Sequence, residues 1–228
     1  MTLRAAVFAS GRGSNFQVLA EHASRVRPYS PIAHEDTAGG LWEVSMLITD
    51  RPGIFALERA ARLGVNGVVV PPSEDLTEFG SRLLAVLENG SIDMILNAGY
   101  LKLIPPSVVT RYEGRMLNLH PAILPAFGGK GMYGRRVHEA VLEAGVRLTG
   151  VTVHFVNKEY DRGRILAQWP VPVLPGDTAD TLAERIHRVE HRLYPVAVDH
   201  LARAIREGSE AAPIPGTETE FGLDSHLL

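Results

Sequence analysis

The sequence contains no cysteine. That absence excludes disulfides, thiolate metal ligands and a cysteine nucleophile together, and it leaves the redox compartment undetermined. Also missing is any apolar run approaching the roughly 20 residues of a membrane-crossing helix. Residues 1–9 are too short an apolar start, and too soon followed by Gly11 and Arg12, for a secretory signal, so a cytoplasmic location and no membrane partner are expected. An excess of positive charge is lacking as well: 23 Lys and Arg stand against 26 Asp and Glu, for a net charge of −3. This gives no electrostatic case for nucleic acid as a main partner. What remains is ordinary for a globular enzyme, with 45% hydrophobic and 21% charged residues in a chain of 228. One large domain with an ample core is expected over residues 1–206, with a small, polar, proline-bearing tail at 207–228 that carries no period and is expected to be loosely ordered.

Along the chain, short apolar runs alternate with helical periodicity. Residues 3–9, 42–49, 67–70 and 94–98 read as strands, while 16–23, 54–62 and 74–88 read as helices. Strands that alternate with helices predict a parallel, doubly wound sheet. Residues 25–41 carry Pro28, Pro31, Gly39 and Gly40 without any period and are expected to form a loop. Later, residues 148–156 and 165–173 read as two strands joined by an eight-residue, hairpin-like turn, so the sheet is predicted to become antiparallel there. Residues 178–204 read as a long helix capped by Asp177 or Thr178 and interrupted at Pro195.

Chemistry concentrates in a few places. In Met116-Leu117-Asn118-Leu119-His120-Pro121, Asn118 and His120 project from one face of a pleated strand that Pro121 brings to a close. A lone Asn or His at a strand end ordinarily satisfies a neighbouring loop. The pair is more telling, since an amide and an imidazole side by side can polarise a carbonyl and shuttle a proton. The first strand runs into Ser10-Gly11-Arg12-Gly13-Ser14-Asn15 and then a helix, a geometry that offers backbone N–H groups to a phosphate. Phe16 replaces the third glycine of a dinucleotide fingerprint, and no Gly-Lys-Ser/Thr follows for a nucleotide-triphosphate loop. Gly99-Tyr100-Leu101-Lys102-Leu103-Ile104 is a loop rich in large apolar residues, either core packing or an apolar slot for a flat ring. Residues 121–134, with four glycines, form a long crossing suited to movement over a site.

Other constellations weigh less. His187-Arg188-Val189-Glu190-His191 matches a zinc-protease pattern, but without a third ligand such a match on a charged helix arises easily, and no metal is expected. Thr152 and His154 share a strand face that could look into a cleft. Asp161 follows in a turn, where an Asp normally bonds its own backbone; folded against His120 it would favour the imidazolium.

Together these stretches resemble the phosphoribosylglycinamide formyltransferase family. The matching pieces are FASGRGSNFQ, NAGYLKLIPP, RMLNLHPAILPAF, VHEAV, GVTVHFVNKEYDRGRIL and EHRLYP, spread in order from Val7 to Pro195. The resemblance implies an α/β fold, a doubly wound, mostly parallel sheet of the formyltransferase type with an antiparallel C-terminal hairpin. It implies a phosphate-binding N-terminal half and a folate-binding, catalytic C-terminal half. Asn118, His120 and Asp161 would be the catalytic trio, with the Asn118 amide and protonated His120 as donors to an oxyanion. Gly11, Arg12, Gly13, Ser14 and Asn15 would hold the phosphate of glycinamide ribonucleotide, and Glu190 with His187 would bind its ribose or glycinamide part. Tyr100, Leu101, Lys102, Leu103, Ile104, Val156 and Tyr160 would form the folate pocket. The implied cosubstrate is 10-formyltetrahydrofolate, the implied pathway purine biosynthesis, and the implied partners are small molecules; a homodimer is left open.

Three features depart from the family: the length of the 25–41 loop, Arg164 where proline is common, and the glycine-rich Gly128-Gly129-Lys130-Gly131. Alternatives stay open. A formyltetrahydrofolate hydrolase and a methionyl-tRNA formyltransferase would each carry a further domain for which no room is expected here. A sugar-nucleotide formyltransferase fits the length, and a non-catalytic phosphate-binding module would keep the sheet without turnover.

Overall fold

In a computed structural model, which describes residues 2–24 and 40–215, thirteen elements follow one another in the expected alternation. They are β1 (Leu3–Phe8), α1 (Ser14–Ser24), β2 (Trp42–Thr49), α2 (Phe55–Arg62), β3 (Asn66–Val69), α3 (Leu76–Asn89) and β4 (Met94–Asn97). Then come α4 (Pro106–Arg111), β5 (Met116–His120), α5 (Arg135–Glu143), β6 (Leu148–Phe155), β7 (Ile165–Pro172) and α6 (Ala179–Glu207). The expected loop at 25–41 lies outside the described residues except for its last two positions, and so does the end of the tail from residue 216.

The seven strands form one sheet in the order β3-β2-β1-β4-β5-β6-β7. Pairing is parallel from β3 through β5 and antiparallel for β5 with β6 and β6 with β7, as the hairpin-like turn predicts. Both faces are covered, so the strands read as nearly continuous apolar runs. Alternation then sorts each run between two cores. Ala5 and Val7 of β1 join the layer under α1, α2, α5 and α6, whereas Ala6 and Phe8 join the layer under α3 and α4.

The chain winds outward from β1 to β3 and then returns to place β4 beside β1. In open α/β sheets such a reversal opens a crevice at the carboxyl ends of the strands. Here those ends lead into the Ser10 turn, the Tyr100 loop and His120. Ser10 N–H donates to the Gly99 carbonyl at 3.1 Å, and Leu101 N–H donates to Ser10 Oγ at 3.0 Å, which locks the first two together.

Helix α6 corrects one expectation, because it runs through Pro195 without a break. Proline gives up one backbone hydrogen bond and tends to kink a helix. The cost is offset by a long apolar face on the sheet, with Leu193, Tyr194, Pro195, Ala197 and Val198 all buried. The start of α6 is fixed twice. Thr178 forms a reciprocal cap with Thr181, and Arg185 grips Asp177 with two hydrogen bonds of 2.8 Å. After α6, Ile214 N–H donates to the Leu166 carbonyl at 2.7 Å and Ala211 is buried, so residues 209–215 lie against β7.

Candidate active site

A cleft of about 380 Å³ opens at this crevice. Its floor comes from β5 and β6. Their register puts Asn118 directly across from His154, and opposed residues of an antiparallel pair project on the same side. The Asn118 amide Nδ2 lies 3.0 Å from His154 Nε2, while His154 Nδ1 lies 2.9 Å from the Phe155 carbonyl. That carbonyl can only accept, so the proton of a neutral His154 sits on Nδ1, and Nε2 accepts from Asn118. His154 thereby sets the direction of the Asn118 amide.

His120 is held in the same way. Its Nε2 donates to the Phe127 carbonyl at 2.9 Å, which leaves Nδ1 facing Asp161 Oδ2 at 3.6 Å. The turn between β6 and β7 folds back over the floor, and Asp161 reaches His120, His154 (3.5 Å), Asn118 (3.5 Å) and the Gly129 N–H (2.8 Å). To do so it adopts a left-handed backbone with φ of 54°, a conformation that a non-glycine residue keeps only when its surroundings enforce it. The trio expected from the sequence is therefore assembled, with His154 as a fourth member.

The charges follow from this packing. Burial works to raise the Asp161 carboxyl, but the His154 and His120 rings beside it and the Gly129 N–H together hold it below the ordinary carboxylate value. Burial dominates at His120 and lowers its proton affinity against the pull of Asp161. Burial thus works against the protonated His120 that the resemblance implies, while Asp161 works for it, and Nδ1 is the ring nitrogen left open to a proton.

The opposite wall is built around Glu190, which is 4% exposed. It accepts from Asn15 Nδ2 at 2.9 Å and lies 2.8 Å from His187 Nδ1. Burial would raise its carboxyl, yet His187 and Asn15 hold it down, and the same hydrogen bond raises His187. Helix α1 begins at Ser14, two residues before its expected start, so Asn15 sits in the first helical turn and turns toward Glu190. Of the Gly11, Arg12, Gly13, Ser14, Asn15 stretch, Asn15 is the member that lines the cleft. No backbone N–H of these five donates to an acceptor among the described residues. Gly13 has φ of +71°, and a Cβ there would lie 2.6 Å from that of Ala56, so glycine is what lets α2 approach the turn.

The apolar rim comes from Tyr100, Leu101, Lys102, Leu103 and Ile104, facing Val156 and Tyr160 across the opening. Leu101, Leu103 and Tyr160 are exposed there. Lys102 Nζ lies 4.0 Å from the buried Asp50 carboxylate. Thr152 belongs elsewhere: it accepts from Leu124 N–H and donates to the Ala122 carbonyl, so it anchors the root of the 121–134 crossing and does not look into the cleft.

The formyl transferase family profile matches residues 3–198. A phosphoribosylglycinamide formyltransferase of Bacillus subtilis is 31% identical over 90% of this chain and 98% of its own length. The chain belongs to the formyl transferase family. Within it, several relatives, from plants and from Bacillus subtilis, carry the phosphoribosylglycinamide formyltransferase name. The chloroplastic enzyme of Arabidopsis thaliana is 45% identical over 83% of this chain, which spans 62% of that protein's length. The trifunctional purine biosynthetic protein of Gallus gallus is 35% identical, and the chain spans 20% of it. Among solved structures, glycinamide ribonucleotide transformylase 1 from Symbiobacterium toebii aligns with a TM-score of 0.78 at 35% identity over 89% of each chain. The counterpart from Geobacillus kaustophilus aligns with 0.75 at 40% identity over 89% of this chain and 100% of that one. The formyltransferase fold predicted from the sequence is thus the fold observed.

Two histidines of this family member escaped the sequence-based assignment of site residues. In the sequence His154 only shares a strand face with Thr152, and its spacing of 36 residues from Asn118 carries no meaning until β5 and β6 pair. His138 sits in the matched VHEAV segment, is 4% exposed and lines the cleft. The helical period alone gives a buried residue at that place no chemical meaning.

Proposed function

We propose that this chain transfers the formyl group of 10-formyltetrahydrofolate to the primary amine of glycinamide ribonucleotide, a step of purine biosynthesis. The observation that carries this reading is the convergence of Asn118, His120 and Asp161 on one cleft whose opposite wall is Asn15, His187 and Glu190. One wall suits acyl transfer and the other suits a polar, anionic substrate. The unpaired N–H groups from Gly11 to Asn15, with Arg12 among them, suit its phosphate, and the apolar rim from Tyr100 to Ile104 with Val156 and Tyr160 suits a flat folate ring.

Attack of an amine on a formyl carbonyl puts negative charge on oxygen, while one nitrogen must lose a proton and the other must gain one. Asn118, oriented by His154, supplies an N–H to that oxygen. His120 takes and returns the proton through Nδ1, and the Asp161 carboxylate stabilises the imidazolium formed meanwhile. No covalent intermediate with the protein and no metal is called on. The small-molecule partners and a cytoplasmic setting belong to the same proposal; among the described residues no helix is long and apolar enough to cross a membrane.

The test is release of tetrahydrofolate with glycinamide ribonucleotide present and then with water as the only acceptor. Release that requires the ribonucleotide is expected. Release in water alone would assign a hydrolase, and silence in both would assign a binding module or another acceptor. His120→Ala is expected to lower kcat by about 10²-fold or more, within the range for a lost acid–base group, while Kd for glycinamide ribonucleotide changes little. Equal losses in both would make His120 a binding residue.

A further inference from the structure

The mechanism above leaves one buried, titratable side chain of the cleft without a task. His138 projects from α5 with 4% of its surface exposed, and its Nδ1 is shielded from solvent with no hydrogen-bond partner among the described residues. Buried polar atoms nearly always have a partner, and an exception in a cleft is explained most simply by a ligand that completes the bonding. His138 lines the same cleft as Asn118, His120 and Glu190. The groups that bear on its ring are Glu190 and His187 from α6 and His120 from β5.

Burial outweighs all three and keeps the proton affinity of His138 below that of an ordinary histidine. Its ring is therefore neutral at rest and carries one N–H and one lone pair. The proposed reaction has a proton for that lone pair. A primary amine that enters as an ammonium ion cannot attack until one N–H is removed. His120 has a single ring nitrogen to offer, Nδ1, since its Nε2 is bound to the Phe127 carbonyl, and that nitrogen already carries the proton of the transfer step itself.

We propose that His138 is a further catalytic residue, the group that meets the incoming glycinamide ammonium and removes its blocking proton. The inference rests on the function proposed above. One N–H bond breaks at the ammonium and one forms at the imidazole, which frees the amine lone pair for attack. The imidazolium is stabilised by the nearby Glu190 carboxylate until its proton leaves to solvent through the cleft mouth. Nothing is oxidised or reduced.

Two readouts on the full chain test this. In wild-type protein with ¹⁵N-labelled histidine, glycinamide ribonucleotide is expected to move the signal of the His138 ring nitrogen that bears the lone pair, because that nitrogen accepts from the ammonium, whereas ribose 5-phosphate, which lacks the amine, is expected not to. The His138→Gln spectrum assigns the signals. In turnover, His138→Gln is expected to lower kcat/KM for glycinamide ribonucleotide by about 10²-fold near neutral pH, with the loss shrinking as pH rises and solvent deprotonates the amine. A loss uniform across pH, ring shifts that are the same with both ligands, or no shift with either would overturn the assignment. Absence of turnover in the wild type, with the amine-specific shift intact, would overturn the formyl-transfer reading and leave the amine contact standing.

Discussion

At the scale of single residues, the site depends on which atom of each ring is already engaged. Phe127 occupies one nitrogen of His120 and Phe155 one nitrogen of His154, so each histidine presents a single defined lone pair. Asp161 then decides how readily His120 holds a proton. Its carboxylate raises the His120 proton affinity against the burial that lowers it. Asp161→Asn removes that charge while keeping the shape, so the His120 proton affinity should fall further. The expected outcome is a kcat lower by about 10²- to 10³-fold, with the acid limb of the kcat profile displaced to lower pH. An unmoved limb would mean that Asp161 acts on something other than His120. The sequence made Asn118, His120 and Asp161 legible because polar groups on a strand face and in a turn stand out against apolar neighbours. It left His138 and His154 unassigned because their meaning comes from contacts made 18 to 52 positions away, across β5, β6 and α6.

At the scale of elements, placement of Asp161 is the work of the β6–β7 turn. Gly163 is the tight point of that turn, since a Cβ there would lie 1.7 Å from the Phe155 carbonyl oxygen. That oxygen belongs to the backbone and also accepts from His154, so no flexible group can yield. Gly163→Ala should therefore shift the turn, carry Asp161 away from His120 and lower kcat by about 10²-fold, with roughly 1–3 kcal/mol of stability lost to overpacking. A urea titration alongside the activity assay checks both, and a variant with full activity would show the turn to be more pliant than its packing implies. Element type and order were readable from periodicity, because apolar runs and helical spacing are local signals. The continuity of α6 through Pro195 was not, since tertiary packing overrides a local preference. The role of Thr152 was hidden for the same reason. A strand face does not reveal whether it meets a cleft or, as here, the backbone of Ala122 and Leu124.

At the scale of the whole molecule, a cleft cut into a doubly covered sheet buries titratable groups, and this couples stability to pH. His120, His138 and His191 all have proton affinities lowered, with burial as the largest cause in each. In the unfolded chain they titrate near 6.5. Below that pH the unfolded chain binds protons that the folded chain refuses, so their contribution is present above about 6.5 and is lost as pH falls through the native values. His187 has the opposite sign. Raised by its bond to Glu190, it contributes fully below about 6.5, and that contribution is lost as pH rises through its native value. The depressed carboxyls of Asp161, Asp177 and Glu190 act in a more acid window, present above their unfolded values near 4 and lost below. Between pH 7.5 and 5.5 the outcome is set by three histidines against one. Thermal unfolding should therefore show Tm falling on acidification, as the unfolding free energy drops by about 1.4 kcal/mol per pH unit for each net proton taken up on unfolding. His138→Gln should flatten that slope, because glutamine takes no proton in either state. A Tm that holds or rises toward pH 5.5 would mean that the His187–Glu190 pair outweighs the buried rings, and that the cleft tolerates charge better than its burial indicates.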